Sequence, residues 1–163
     1  MMITCIFEDG GKAKIGLRHV TVGAIAVNDH NQVLLVKRSA KFSRPGKYSV
    51  PGGFLDRDQT VQNAVLRELK EETGHEGKIV ALFHVNDAPD RPNEDRQNVD
   101  FIYIVQVTKG EFIKNDEISS VTWFDKESLP SENDFAFDHH ATILKYFDYV
   151  RNPFRLPLLG KIK

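Results

Sequence analysis

The chain has 163 residues, 40% of them hydrophobic and 28% charged, with a formal net charge of −1. Those values fit one domain around a single core and exclude a disordered chain. A near-neutral balance supplies no basic field, so no nucleic-acid partner is expected.

Cys5 is the only cysteine, which excludes an internal disulfide and a cysteine-based zinc site and suits a reducing compartment. No apolar run approaches the roughly 18 residues that span a bilayer. Residues 1–14, MMITCIFEDGGKAK, lack the charged start and long apolar stretch of a secretion signal. No membrane partner is expected, and the cytoplasm is the default location. Without internal repeats, low-complexity segments or a dividing linker, residues 1–163 read as one domain.

In chain order, residues 19–27 and 32–36 read as strands rich in Val and Ile, joined by the turn-forming Asn28-Asp29-His30-Asn31 into a hairpin. A loop with Pro45-Gly46 leads to a short strand at 48–50, which ends at Pro51-Gly52-Gly53. Residues 60–73 are mostly good helix formers, with Val61, Ala64, Val65 and Leu69 on one apolar stripe and Gly74 as the stop. Strands follow at 79–85 and 99–107, joined by the polar loop 86–98, and another short strand lies at 121–124. An amphipathic helix at 138–150 buries Ile143, Leu144 and Phe147. The tail 151–163 is basic and carries two prolines, and no element can be assigned to it. Mixed strands with two helices point to an α/β fold, a three-layer α/β/α sandwich.

The chemistry concentrates in residues 53–75, GFLDRDQTVQNAVLRELKEETGH. A helix turns about 100° per residue, so Glu71 and Glu72 share the face of Glu68. Three carboxylates on one face repel one another, and Arg67 and Lys70 offset only part of this. A hard divalent cation reverses the sign, because magnesium takes several oxygen ligands at short range. A solvated acidic face is the plain alternative. The preceding Gly52-Gly53 tips the balance, since two glycines after a strand let the backbone approach a ligand.

In this order and spacing the residues resemble the Nudix hydrolase signature: Gly, five residues, Glu, seven residues, Arg-Glu, an aliphatic, any residue, Glu-Glu, any residue, Gly, an aliphatic. Gly53, Arg67, Glu68, Leu69, Glu71, Glu72 and Gly74 match it. The upstream VLLVKR, the PGGF entry and the downstream VTWF extend the likeness over most of the chain. The resemblance implies a Nudix-type sandwich with a mixed central sheet. It also implies a Mg2+ (or Mn2+) dependent attack of water on a diphosphate. The implied metal ligands are Gly52, through its carbonyl, with Glu68, Glu71 and Glu72; Arg67 would orient a carboxylate. A further acid is expected outside the helix, Asp116 or Glu117, with Glu94 and Asp95 as rivals.

Two positions depart from the signature. Gln59 stands where its first Glu belongs, and His75 where it has an aliphatic. An amide keeps hydrogen bonds but supplies no negative charge, so Asp56 and Asp58 are candidates to compensate. The expected substrate is a nucleoside diphosphate derivative, with Arg44, Arg91 and Arg96 as phosphate or ribose ligands. Pro89 lies where ADP-ribose pyrophosphatases of the family tend to carry a proline. Tyr48, Phe54, Phe83 or Tyr103 can stack a base, though aromatics at strand spacing are more often core, and His139 and His140 precede the last helix in an AFDH-like element. Nucleoside triphosphate hydrolysis and a non-catalytic, ligand-binding role both stay open, as does a homodimer.

Overall fold

A computed structural model describes residues 2–6, 8–91, 97–112 and 114–162. β1 (Met2–Ile6) and β2 (Lys12–Gly16) form an antiparallel hairpin outside the main sheet. No strand was expected there. Asp9-Gly10-Gly11 closes the turn, with Gly10 at φ 81° and the Gly11 amide donating to Asp9 Oδ1 at 2.8 Å.

Among the described residues the main sheet has eight strands. β3 (His19–Val27) runs parallel to β8 (Asn98–Gly110) and antiparallel to β4 (Val33–Arg38) and β6 (Gly52–Phe54). β4 also pairs antiparallel with β5 (Tyr48–Ser49) and β9 (Ile118–Phe124). On the other side β8 is antiparallel to β7 (His75–Asn86), and β10 (Leu158–Leu159) adds a parallel edge to β7.

Period-2 alternation sorts the core into two layers. Ile25, Val27, Val33, Leu35, Ile102 and Ile104 face one side, where Ile143, Tyr146 and Phe147 of α2 (His139–Arg151) cover them. Ala24, Ala26, Leu34, Tyr103 and Val105 face the other, under Ala64, Val65 and Leu69 of α1 (Val61–Thr73). The small alanines of β3 make room for α1. Leu69 is fully buried, so Leu69→Ala would cost about 2–5 kcal/mol. The fold is therefore the α/β/α sandwich with a mixed central sheet.

α1 starts and stops as its sequence indicates. The Thr60 side chain accepts from the Asn63 amide at 3.2 Å, and Gly74, at φ 72°, donates its amide to Lys70 O. β7 begins at His75, four residues before the expected strand, because β-bulges absorb the irregular Glu76-Gly77 and later steps. Gly52 and Gly53 are not a free turn. They are two of the three residues of β6, and a Cβ on Gly52 would lie 2.2 Å from Val22 O. Part of the tail joins the core: Phe154, Leu156 and Leu158 pack on the α2 side.

Candidate active site

α1 and β6 face each other across a short gap, and this contact builds the site. Glu72 is buried and its Oε2 accepts from the Gly52 amide at 2.9 Å. Glu68 lies against Gly53, where any Cβ would sit 2.6 Å from Glu68 Oε1. Glu71, one turn along from Arg67, is largely exposed. The three acids, with Glu117 and Asp116, line one cleft of about 410 Å³. Burial pushes Glu72 up to about 8, against the Gly52 hydrogen bond, and the like charges of Glu68 and Glu117 add to the rise. Glu68 is raised too, first by burial, against the pull of Arg67.

Arg67 is the hub of the cleft. Its Nη1 lies 3.0 Å from Glu68 Oε1 and 2.7 Å from Glu71 Oε2, and its Nη2 lies 3.3 Å from Asp56 Oδ2. Its Nε donates to Gln59 Oε1 at 3.2 Å. Gln59, the departure from the signature, therefore steers Arg67 by hydrogen bonding without a charge of its own. Asp56 supplies the nearby charge. Among the described residues no three His, Cys, Asp or Glu side chains converge on one point as they stand. The guanidinium of Arg67 lies between Glu68 and Glu71.

Hard oxygen donors around a buried carboxylate that resists ionisation suit a divalent cation, so the donor set fits magnesium or manganese. Such an ion would compete with Arg67 for Glu68 and Glu71.

Asn115, which no motif in the sequence marks, organises the third side of the cleft. Its Nδ2 lies 3.2 Å from both Glu71 O and Glu72 O, satisfying carbonyls at the end of α1. Its Oδ1 accepts from the Glu117 and Ile118 amides at 3.0 and 2.8 Å. The loop before β9 is thereby tied to α1, with Glu117 close enough to Glu68 and Glu72 to raise both. Asp116 is instead an exposed partner of Lys41, at 3.1 Å. Glu94, Asp95 and Arg96 lie outside the described residues.

Behind the double glycine a second cavity of about 390 Å³ opens, lined in part by Gly52, Gly53, Arg38, Lys41, Phe54 and Phe137. Arg38, the last residue of VLLVKR, is one of its cations. Its Nε donates to Ser43 O at 2.6 Å, and its guanidinium carbon stands 5.9 Å from the Phe137 ring centre. Burial lowers its pKa, while Glu72 and Glu117 oppose the change. Its position at the end of β4, after an apolar run, was the signal available.

The other expected ligands divide. Arg91 lines this cavity, but its guanidinium grips Asp138 at 2.7 Å. Arg44 sits exposed on the β4–β5 turn at φ 60° and lines neither cavity. Of the aromatics, Phe54 is 46% exposed and faces the cavity, whereas Phe83 and Tyr103 are core residues. Tyr48 packs edge-on against Phe124. His139 lines the cavity with its Nδ1 accepting from the Val50 amide at 3.3 Å, and His140 packs on Phe135. His75 replaces the aliphatic by stacking edge-on against Trp123, 5.8 Å between ring centres.

The NUDIX domain family matches residues 17–147. The chain is 36% identical over 127 residues to the ADP-ribose pyrophosphatase of Methanocaldococcus jannaschii, across 78% of this chain and 72% of that protein. Several further curated relatives are matched over less than half of their own length. A NUDIX hydrolase crystal structure from Nitrosomonas europaea superimposes with a TM-score of 0.78 at 24% identity, covering 98% of this chain and 92% of that one. A bifunctional NMN adenylyltransferase/ADP ribose pyrophosphatase from Francisella tularensis, complexed with AMP and a manganese ion, matches at 26% identity. Its TM-score is 0.65, over 83% of this chain and 43% of that one. No helix among the described residues is long and apolar enough to cross a membrane.

Proposed function

This chain belongs to the NUDIX family of hydrolases, and from that premise we propose that it cleaves the diphosphate linkage of ADP-ribose or a closely related sugar nucleotide with the help of magnesium or manganese. One observation carries the reading. The double glycine separates an acidic cleft from a cavity that is cationic and aromatic, and it contacts both. A nucleoside seated in the cationic, aromatic cavity would carry its diphosphate over Gly52-Gly53, where no Cβ obstructs it.

Each residue then has a task. Glu68, Glu71 and Glu72, with the Gly52 carbonyl, would hold the divalent ion, which would neutralise the diphosphate and make water a stronger nucleophile at neutral pH. Arg67, steered by Gln59, keeps Glu68 and Glu71 pointed into the cleft. Glu117 is favoured over Asp116 as the general base, because it shares the field of Glu68 and Glu72 while Asp116 is paired with Lys41. Arg38 and Lys41 line the route of the phosphates, and Phe54 offers an exposed ring to a base. The likeness to the M. jannaschii ADP-ribose pyrophosphatase supports the choice of substrate.

The test is a side-by-side assay of ADP-ribose, other nucleoside diphosphate sugars and nucleoside triphosphates, with magnesium, with manganese and with chelator. AMP and ribose phosphate should form fastest, and chelator should stop the reaction. Faster release of pyrophosphate from a triphosphate would replace this substrate assignment with a triphosphate one.

A further inference from the structure

The cationic, aromatic cavity behind Gly52-Gly53 is walled on one side by a buried ion pair that the hydrolytic chemistry does not use. Arg91 lies in the segment after β7 and Asp138 immediately before α2. Their contact is two-pronged: Arg91 Nε donates to Asp138 Oδ2 at 3.1 Å and Nη2 to Oδ1 at 2.7 Å. The Arg91 side chain is 4% exposed. Asn86, at the end of β7, donates its Nδ2 to Asp138 Oδ2 at 2.6 Å. Beyond the guanidinium stands Asp100 of β8, 3.5 Å away, whose Oδ1 accepts from Thr21 of β3 at 3.1 Å. Thr21, Arg91, Asp100 and His139 all face the cavity.

Two more side chains fasten the same segment from outside. Arg18 Nη2 donates to Asp87 O at 2.7 Å and to Asn98 O at 2.9 Å, joining the two ends of the loop. Lys161 Nζ reaches Asp90 Oδ2 at 2.7 Å. A planar guanidinium held in a carboxylate fork has its direction as well as its charge fixed. Removing the fork leaves a buried cation with a weaker partner, and the chain around it must move.

On the functional reading above, we propose that Asp138 is a positioning residue: its grip on Arg91 sets the shape of the nucleoside side of the cavity. Arg91 then serves as a wall whose direction is set in advance, and selectivity rests on a preformed pocket. Loss of the fork weakens substrate binding and leaves the acidic cleft, which it does not touch, intact.

The full chain is compared with Asp138→Asn, Asp138→Ala and Arg91→Lys. Amide exchange and AMP affinity are measured, with KM and kcat for ADP-ribose in magnesium. In both Asp138 variants exchange at residues 87–91 should quicken about tenfold or more while α1 keeps its protection. AMP affinity should fall and KM rise by about tenfold, with kcat within about threefold of the parent. Arg91→Lys, which keeps the charge without the fork, should fall between. If Asp138→Ala does not fold, Asp138→Asn carries the test, since its amide oxygen still accepts from Asn86. Lower thermal stability with unchanged AMP affinity and KM would reduce the pair to a structural brace and overturn the proposal. So would unchanged exchange at 87–91. A parent chain inert toward ADP-ribose would refute the functional reading instead, and exchange and AMP affinity would still decide the role of Asp138.

Discussion

Glu72→Gln should stabilise the metal-free protein at alkaline pH while destroying its activity. Glu72 is 5% exposed, and burial raises it from the ordinary 4.5 to about 8. A carboxyl whose folded pKa lies above its unfolded value contributes stability at low pH and loses it as pH rises, here between about 4.5 and 8. At about 1.4 kcal/mol per pH unit the full penalty approaches 5 kcal/mol above pH 8. It is under about 1 kcal/mol at pH 5. Gln keeps an acceptor for the Gly52 amide but a weaker one, which returns about 1–2 kcal/mol of the gain. The expected net gain is about 2–4 kcal/mol at pH 8.5 in chelator, disappearing near pH 5. Urea unfolding of both forms at the two pH values measures it. Magnesium should raise the parent's stability at pH 8.5 and narrow the gap, since a bound cation offsets the buried charge. Turnover should fall by orders of magnitude. Equal stability of the two forms at pH 8.5 would refute the claim that burial makes the ionised Glu72 carboxylate costly.

The two glycines of β6 should respond differently to Ala. At Gly53 the atoms nearest the new Cβ belong to the Glu68 carboxylate, a side-chain end, so the fold should survive with activity reduced about 100-fold or more; at Gly52 it strikes Val22 O and Gly23 Cα, so thermal stability itself should drop. Near-parental turnover in Gly53→Ala would contradict the placement of Glu68. Gln59→Glu should change turnover less than about threefold, because Arg67 Nε keeps its partner, while Gln59→Leu should lower it about tenfold by releasing Arg67. A large gain in Gln59→Glu would show that the missing charge had been limiting. Burial lowers His139 from 6.5 to about 4, so its contribution to stability is present above about pH 6.5 and is lost as pH falls toward 4, by about 3 kcal/mol at most. His139→Gln should therefore flatten the acid limb of the stability curve, and an unchanged limb would deny the buried neutral imidazole.

The acidic helix was legible from sequence because every signal for it is local. A helical repeat places Glu68, Glu71 and Glu72 on one face whatever surrounds them, and Thr60 and Gly74 bound the helix with their own side-chain and backbone chemistry. The period-2 runs in β3, β4 and β8 are local too, and two opposed apolar faces require a layer on each side, hence the sandwich. What the chain does over long separations was not written in any window of residues. Arg91 looks like a phosphate ligand until Asp138, 47 residues away, takes its charge. Asp116 and Glu117 are neighbours lining one cleft, and only the folded chain pairs Asp116 with Lys41 and sets Glu117 in the field of Glu68 and Glu72. Gln59 reads as a missing charge, yet the tertiary fold sets it against Arg67 as a hydrogen-bonding guide. Phe83 and Tyr103 have the spacing of strand aromatics, open to base stacking but more often core, and the closed layers bury them on opposite faces of the sheet. Residue type and spacing limit which groups can do chemistry; which partner neutralises or buries each one depends on contacts between distant segments, made only when the layers close.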